Sequence, residues 1–262
     1  MDIFSRAEGK GEELLMIHGI ISDSSFFAPA AEYLTDDFRV IAYDRRGYGA
    51  SEDGEDHSVF AQASDAARVL EEHSASPAWI VGNSAGGLIA VELALSRPDL
   101  VRGLILVEPS LVFDEESRDL IAAWNAELNG YVRERRIKKA LPAFSRVMGM
   151  PEGHSTGGTM EEMRRTFANL SAFMYGELND IQSYRPALDT VKSISCPVRV
   201  LITRDGQKSI FAATSKAGAE ALGWRTVLIP GYHNAARDLP REFSDALRGI
   251  IKEMKEGAVA LR

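Results

Sequence analysis

Along the first hundred residues, short unbroken apolar runs alternate with longer stretches whose apolar positions recur every three or four residues. The runs Leu14–Ile17, Arg39–Tyr43, Ala78–Val81 and Leu104–Val107 have the continuous apolar character of strands covered on both faces. Between them, Phe26–Leu34, Val59–His73 and Leu88–Leu95 read as helices. Such alternation implies right-handed βαβ units and a mostly parallel sheet. After Val107 the strand-like runs stop. Glu115–Asn129, Val132–Met148, Glu161–Phe173 and Asn179–Leu188 are predicted as helices, with a glycine-rich, mobile loop over Gly149–Gly158. The βα pattern then resumes with strand Val198–Thr203, helix Ile210–Leu222, strand Thr226–Ile229 and helix Pro240–Glu256. The expectation is an α/β core in two parts, residues 1–110 and 191–262, interrupted by a helical insertion over 111–190. An inserted helical block of this kind is the expected form of a lid.

Composition narrows the class. With 262 residues, 45% of them hydrophobic, the chain can bury a full-sized core. A formal net charge of −8 argues against a nucleic-acid partner. The basic cluster Arg133–Lys139 is broken by Glu134 and Ile137 and reads as a solvated helix face. A single cysteine, Cys196, rules out an internal disulfide and is expected to be a packed core residue. Met1–Lys10 lacks the apolar stretch of a signal peptide, and no run of apolar residues is long enough to span a membrane. A cytoplasmic protein with no membrane partner is therefore expected, acting on a small-molecule substrate, with a homodimer possible.

The sharpest motif is Gly82-Asn83-Ser84-Ala85-Gly86-Gly87, between the strand Ala78–Val81 and the helix from Leu88. A serine at the tip of a strand-to-helix turn adopts strained dihedrals that expose its hydroxyl. Small neighbours two residues to either side let strand and helix approach closely enough. The helix N-terminus stabilises negative charge developing there. A phosphate loop would need a lysine that this segment lacks.

Three more motifs stand in order around it. His18-Gly19 follows the first strand, Asp44-Arg45-Arg46-Gly47-Tyr48-Gly49-Ala50-Ser51 follows the second, and Pro230-Gly231-Tyr232-His233 follows the last. With these, the chain resembles the α/β-hydrolase superfamily over nearly its whole length. The resemblance implies an α/β-hydrolase fold, Ser84 as nucleophile, His233 as its base, and no cofactor. It also implies an oxyanion hole from the backbone N–H of Ala85 and a second donor from Gly19 or Ile20, with Ile20 the more usual position. Only about a dozen residues precede the first strand, so one of the family's two leading antiparallel strands is expected to be missing.

The acid is less regular. The family usually places it after the strand Val198–Thr203, but that pattern puts Gly206 where an aspartate should stand. Asp205 is one position early. A known variation places the acid before the lid, where this chain has Glu108. Glu108, Asp205 or no functional acid remain open, in that order of preference. Glu108, the segment Ser209–Gly218 and Leu228–His233 also resemble the zearalenone lactonases, from which the chain departs at the elbow and through much of the lid.

The other histidines carry less chemistry. His18 is expected to shape the oxyanion loop, His57 and His73 to lie on the surface, and His154 to sit in the glycine-rich loop. No H-E-x-x-H or C-x-x-C spacing suggests a metal. The aromatic and apolar residues of the lid suggest an apolar pocket, with Phe173 and Met174 the first candidates for substrate contact. The functional expectation is a serine hydrolase of a carboxylic ester or lactone. A ligand receptor on the same fold and a carbon–carbon bond hydrolase are the alternatives.

Overall fold

The computed structural model describes residues 1–73, 76–151 and 160–260. Among these residues, seven strands form one sheet: β1 (Ser5–Gly9), β2 (Glu12–Ile17), β3 (Phe38–Tyr43), β4 (Ala78–Asn83), β5 (Val101–Val107), β6 (Val198–Thr203) and β7 (Arg225–Ile229). Their order is β1-β3-β2-β4-β5-β6-β7, with β1 antiparallel and every other pairing parallel. Ahead of β2, the described residues contribute one antiparallel edge strand, β1, paired with β3.

Alternation along the strands divides the core. Leu15, Ile17, Ile41, Tyr43, Ile80, Leu104 and Leu106 face α2 (Val59–His73) and α3 (Ala85–Ser96). Leu14, Met16, Val40, Trp79, Val81, Ile105 and Val107 face α1 (Ala28–Leu34) and the long C-terminal helix Pro240–Ala260. Successive side chains on a strand point to opposite faces, so continuous apolar runs are what a sheet covered on both faces demands.

Between β5 and β6 lie α4 (Glu115–Arg133), α5 (Ala140–Val147), α6 (Met160–Ala172), α7 (Leu178–Ser183) and α8 (Leu188–Lys192). Two predicted helices are shorter than expected. Val132–Met148 is broken after Arg133, with Arg135 in the left-handed region at φ 55°. The basic cluster there is solvent-exposed, but it forms a turn and a single 3₁₀ turn, not a helix face. Asn179–Leu188 stops at Ser183, because Pro186 disfavours helix in the residue before it. In contrast α6 runs on through a π-helical turn, Phe173–Glu177, into α7. After β6 come α9 (Ile210–Leu222), the short α10 (Ala235–Asp238) and α11 (Pro240–Ala260). Among the described residues, no helix is long and apolar enough to cross a membrane.

Candidate active site

Ser84 stands between β4 and α3 with φ 54° and ψ −122°, a conformation that costs a non-glycine residue about 1–3 kcal/mol. Glycines make it possible by close approach. A Cβ on Gly82 would come within 2.5 Å of the Gly86 carbonyl oxygen, and one on Gly86 within 2.2 Å of the Ile17 carbonyl oxygen. The strand holds the turn from the other side, the Ser84 N–H donating to the Val107 carbonyl at 2.8 Å. Ala85 opens α3, so its N–H has no acceptor within the helix.

His233 lies in the loop after β7, buried, with Nδ1 2.6 Å from Glu108 Oε2. The other carboxylate oxygen, Oε1, accepts from Thr203 N–H at 2.9 Å and from Thr203 Oγ1 at 2.6 Å. Glu108 is fully buried at the end of β5, at φ 45°. Burial alone would raise its carboxyl. The bonds from His233 and Thr203 outweigh burial and hold it below the ordinary carboxylate range. Phe211, from α9, stacks on the imidazole, centroids 4.7 Å apart.

Asp205 is elsewhere. It is exposed, accepts from Gly231 N–H at 3.0 Å and donates its own N–H to the Gly231 carbonyl at 3.1 Å. Its place is to brace the turn that leads to His233. Gly206, where the usual acid would stand, has no room for a side chain: a Cβ there would lie 2.6 Å from Thr203 Oγ1.

Gly19 packs directly on the elbow. A Cβ at Gly19 would lie 3.1 Å from Ser84 Cβ. His18 is buried, its Nε2 accepting the Arg45 N–H at 3.0 Å and its Nδ1 lying 2.8 Å from the Gly19 carbonyl oxygen. Burial first, then the charge of Arg45, pull it down to about 3, so it is neutral at neutral pH.

Two chambers meet at Ser84, Ile20 and Phe211. The larger, about 380 Å³, is bounded by Gly19, Ile21, Phe26, Leu141, Phe144, Met148, Met150 and His233. The smaller, about 50 Å³, is bounded by Ala85, Leu88, Pro109, Val112, Trp124 and Phe173. Phe173 therefore reaches a chamber, whereas Met174 is buried in the insertion's apolar cluster and lines neither. His154 lies outside the described residues. His57 is not on the surface: it is buried, with Nε2 3.2 Å from Asp53 Oδ1, and packs against Gly176. His73 is part-buried, bonded to Ser5 Oγ. Cys196 is part-buried at a strand start, and burial pushes its thiol up to about 11.

The sequence shows Arg45, Tyr48 and Phe211 only as members of longer motifs, and gives Thr203, Gln62 and Glu177 no role; the structure draws Arg45, Tyr48, Gln62 and Glu177 into one buried cluster. Arg45 donates to both carboxylate oxygens of Glu177, Tyr48 Oη donates to Oε2, and Gln62 Nε2 donates to Oε1 at 2.7 Å. A doubled arginine after β3 was the signal available, but which of the two turns inward is not readable from the chain.

The model of the alpha/beta hydrolase fold family matches residues 13–176. The chain belongs to the α/β-hydrolase fold family. The uncharacterized hydrolase YraK of Bacillus subtilis is 25% identical to this α/β-hydrolase over 262 residues, covering 97% of this chain and 94% of its own. The 2-(acetamidomethylene)succinate hydrolase of Mesorhizobium japonicum is 34% identical over 119 residues, 45% of this chain and 43% of its own. Among solved structures, an esterase from Exiguobacterium antarcticum superposes with a TM-score of 0.72 at 20% identity, over 95% of each chain, which is a likeness of fold.

Proposed function

We propose that this α/β-hydrolase is a serine hydrolase that cleaves a carboxylic ester or lactone through an acyl-enzyme. The observation that carries the reading is the pairing of His233 Nδ1 with a buried Glu108 that is also bonded by Thr203, the imidazole itself lining the same cavity as Ser84. A proton on Nδ1 donated to Glu108 leaves Nε2 as the basic nitrogen. His233 then takes the Ser84 proton as the hydroxyl attacks the carbonyl. Glu108 holds the imidazole in that tautomer and stabilises the imidazolium that forms. The N–H groups of Ala85 and Ile20 receive the oxyanion, each worth about 3 kcal/mol in the transition state. The imidazolium protonates the departing alcohol, and water attacks the acyl-Ser84 ester with His233 again as base. No step needs a cofactor.

Residues 111–190 act as a lid in this reading, since Trp124, Phe144 and Phe173 wall the chambers. The unequal chambers suit a substrate with one small and one moderately sized group across the scissile bond, the larger chamber offering polar walls (Asn83, Thr166, Asn234, Arg237) beside its apolar ones. The glutamate ahead of the lid, shared with the zearalenone lactonases, makes lactones part of the substrate panel.

The test is labelling by a fluorophosphonate probe, followed by turnover on a panel of esters, lactones and β-diketones. Labelling that is lost in Ser84→Ala, with turnover of esters or lactones, is the expected result. Stoichiometric binding without turnover would make the protein a receptor. Cleavage of β-diketones with inert esters would make it a carbon–carbon bond hydrolase.

A further inference from the structure

The peptide joining Gly19 to Ile20 is held from its carbonyl side. The Gly19 oxygen accepts from Arg45 Nη2 at 2.9 Å. It also accepts from His18 Nδ1 at 2.8 Å, because the Arg45 N–H occupies His18 Nε2 and leaves the imidazole proton on Nδ1. A trans peptide is planar, so fixing the carbonyl fixes the direction of the Ile20 N–H on its opposite side. A cation at the carbonyl end also polarises the peptide and strengthens its N–H as a donor.

What holds the cation is remote in sequence. Arg45 is fully buried, and its carboxylate partner is Glu177, at the end of the π-helical turn of the helical insertion. Glu177 is itself fully buried and takes further bonds from Tyr48 and Gln62. A buried ion pair is weak support for stability, because apolar side chains of similar volume do as well or better. This one bridges the insertion to the loop beside Ser84.

We propose that Glu177 and Arg45 are positioning residues of the oxyanion site: the lid carboxylate presses the Arg45 guanidinium against the Gly19 carbonyl, which aims and strengthens the Ile20 N–H. The inference rests on the reading of Ile20 as an oxyanion donor. It makes the docked lid a condition for a competent oxyanion hole, so that closure over substrate and transition-state stabilisation are one event. The Arg45 charge matters here in a way that packing does not. Burial works against it, and the Glu177 carboxylate more than compensates, holding the guanidinium above its ordinary range.

The experiment uses the full chain with active sites counted by fluorophosphonate titration. kcat and KM are measured on p-nitrophenyl acetate, together with the inhibition constant of a trifluoromethyl ketone, which forms an anionic hemiketal on the serine. In Glu177→Gln, kcat and ketone affinity are expected to fall together, by about tenfold to a hundredfold, with KM within about threefold. Arg45→Lys, which keeps the charge but loses the fork, should fall between wild type and Glu177→Gln. If Glu177→Gln does not fold, Tyr48→Phe carries the test through the loss of one bond to Glu177, with a smaller parallel fall expected. A lowered melting temperature with kcat and ketone affinity per titrated site unchanged would overturn the proposal. The two failures are separable: wild type that the probe does not label sinks the serine-hydrolase reading, whereas labelled wild type with an unmoved ketone constant in the variants sinks only this one.

Discussion

Of the two carboxylates the sequence offers, Glu108 lies 2.6 Å from His233 Nδ1, while Asp205 bonds to the backbone of Gly231. Glu108 is buried with both oxygens occupied, one on His233 and one on Thr203, whereas Asp205 is exposed and bonded to the Gly231 backbone. Glu108→Gln keeps the shape but favours the wrong imidazole tautomer, so kcat should fall by about three to four orders of magnitude. Asp205→Asn should leave kcat nearly unchanged and cost about 1 kcal/mol of stability through the weakened Gly231 bond, read from urea unfolding. Comparable losses of kcat in the two variants would count against Glu108. Moving the acid back by Gly206→Asp in the Glu108→Gln background should not restore activity, because the new Cβ would lie 2.6 Å from Thr203 Oγ1.

At the level of elements, the elbow depends on three backbones meeting. Gly82→Ala would set a methyl 2.5 Å from the Gly86 oxygen and 2.6 Å from Gly87 Cα, neither of which can move without shifting α3. A loss of roughly 3 kcal/mol is expected, measured by urea unfolding, with reduced Ser84 labelling in the folded fraction. The insertion shapes the pocket by its aromatics: Trp124 meets Phe144 and Phe211 edge-on at 5.5 and 5.3 Å, and Phe144 meets Phe173 at 5.8 Å. Phe173→Leu opens the smaller chamber. It should raise kcat/KM for substrates with a longer group on that side by about tenfold relative to acetate esters. An unchanged ratio across an acyl-length series would separate Phe173 from selectivity.

Across the whole molecule, burial of a neutral imidazole ties stability to pH. His18 sits near 3 when folded against an ordinary 6.5, so between those values the unfolded chain binds more protons than the folded one. Stability is then full above about pH 6.5 and falls, by an amount on the order of a few kcal/mol, as pH drops toward 3. Glu108, held below the ordinary 4.5, acts in the same direction at the lower end, its contribution being lost as the carboxylate protonates. Urea midpoints between pH 7 and 4 should show the decline, and His18→Asn should flatten its upper part.

Local pattern alone carried the parallel sheet and the tight turn around Ser84, whereas the candidacy of His233 and the weighing of Glu108 against Asp205 came from the family resemblance. The first two are legible because strand burial, tight turns and motif spacing are properties of neighbouring residues. Helix ends at Arg133 and Ser183 are less legible, since the apolar period continues across the charged turn at 134–136 and up to Pro186. His57 and Met174 show the limit on single residues, because burial is set by what folds over a side chain. Only the tertiary structure decided the company of the site: Thr203 on Glu108, Phe211 on His233, and Glu177 reaching Arg45 from 132 residues away. Charges that far apart in the chain leave no spacing to read, and their pairing exists only once the insertion has packed against the core.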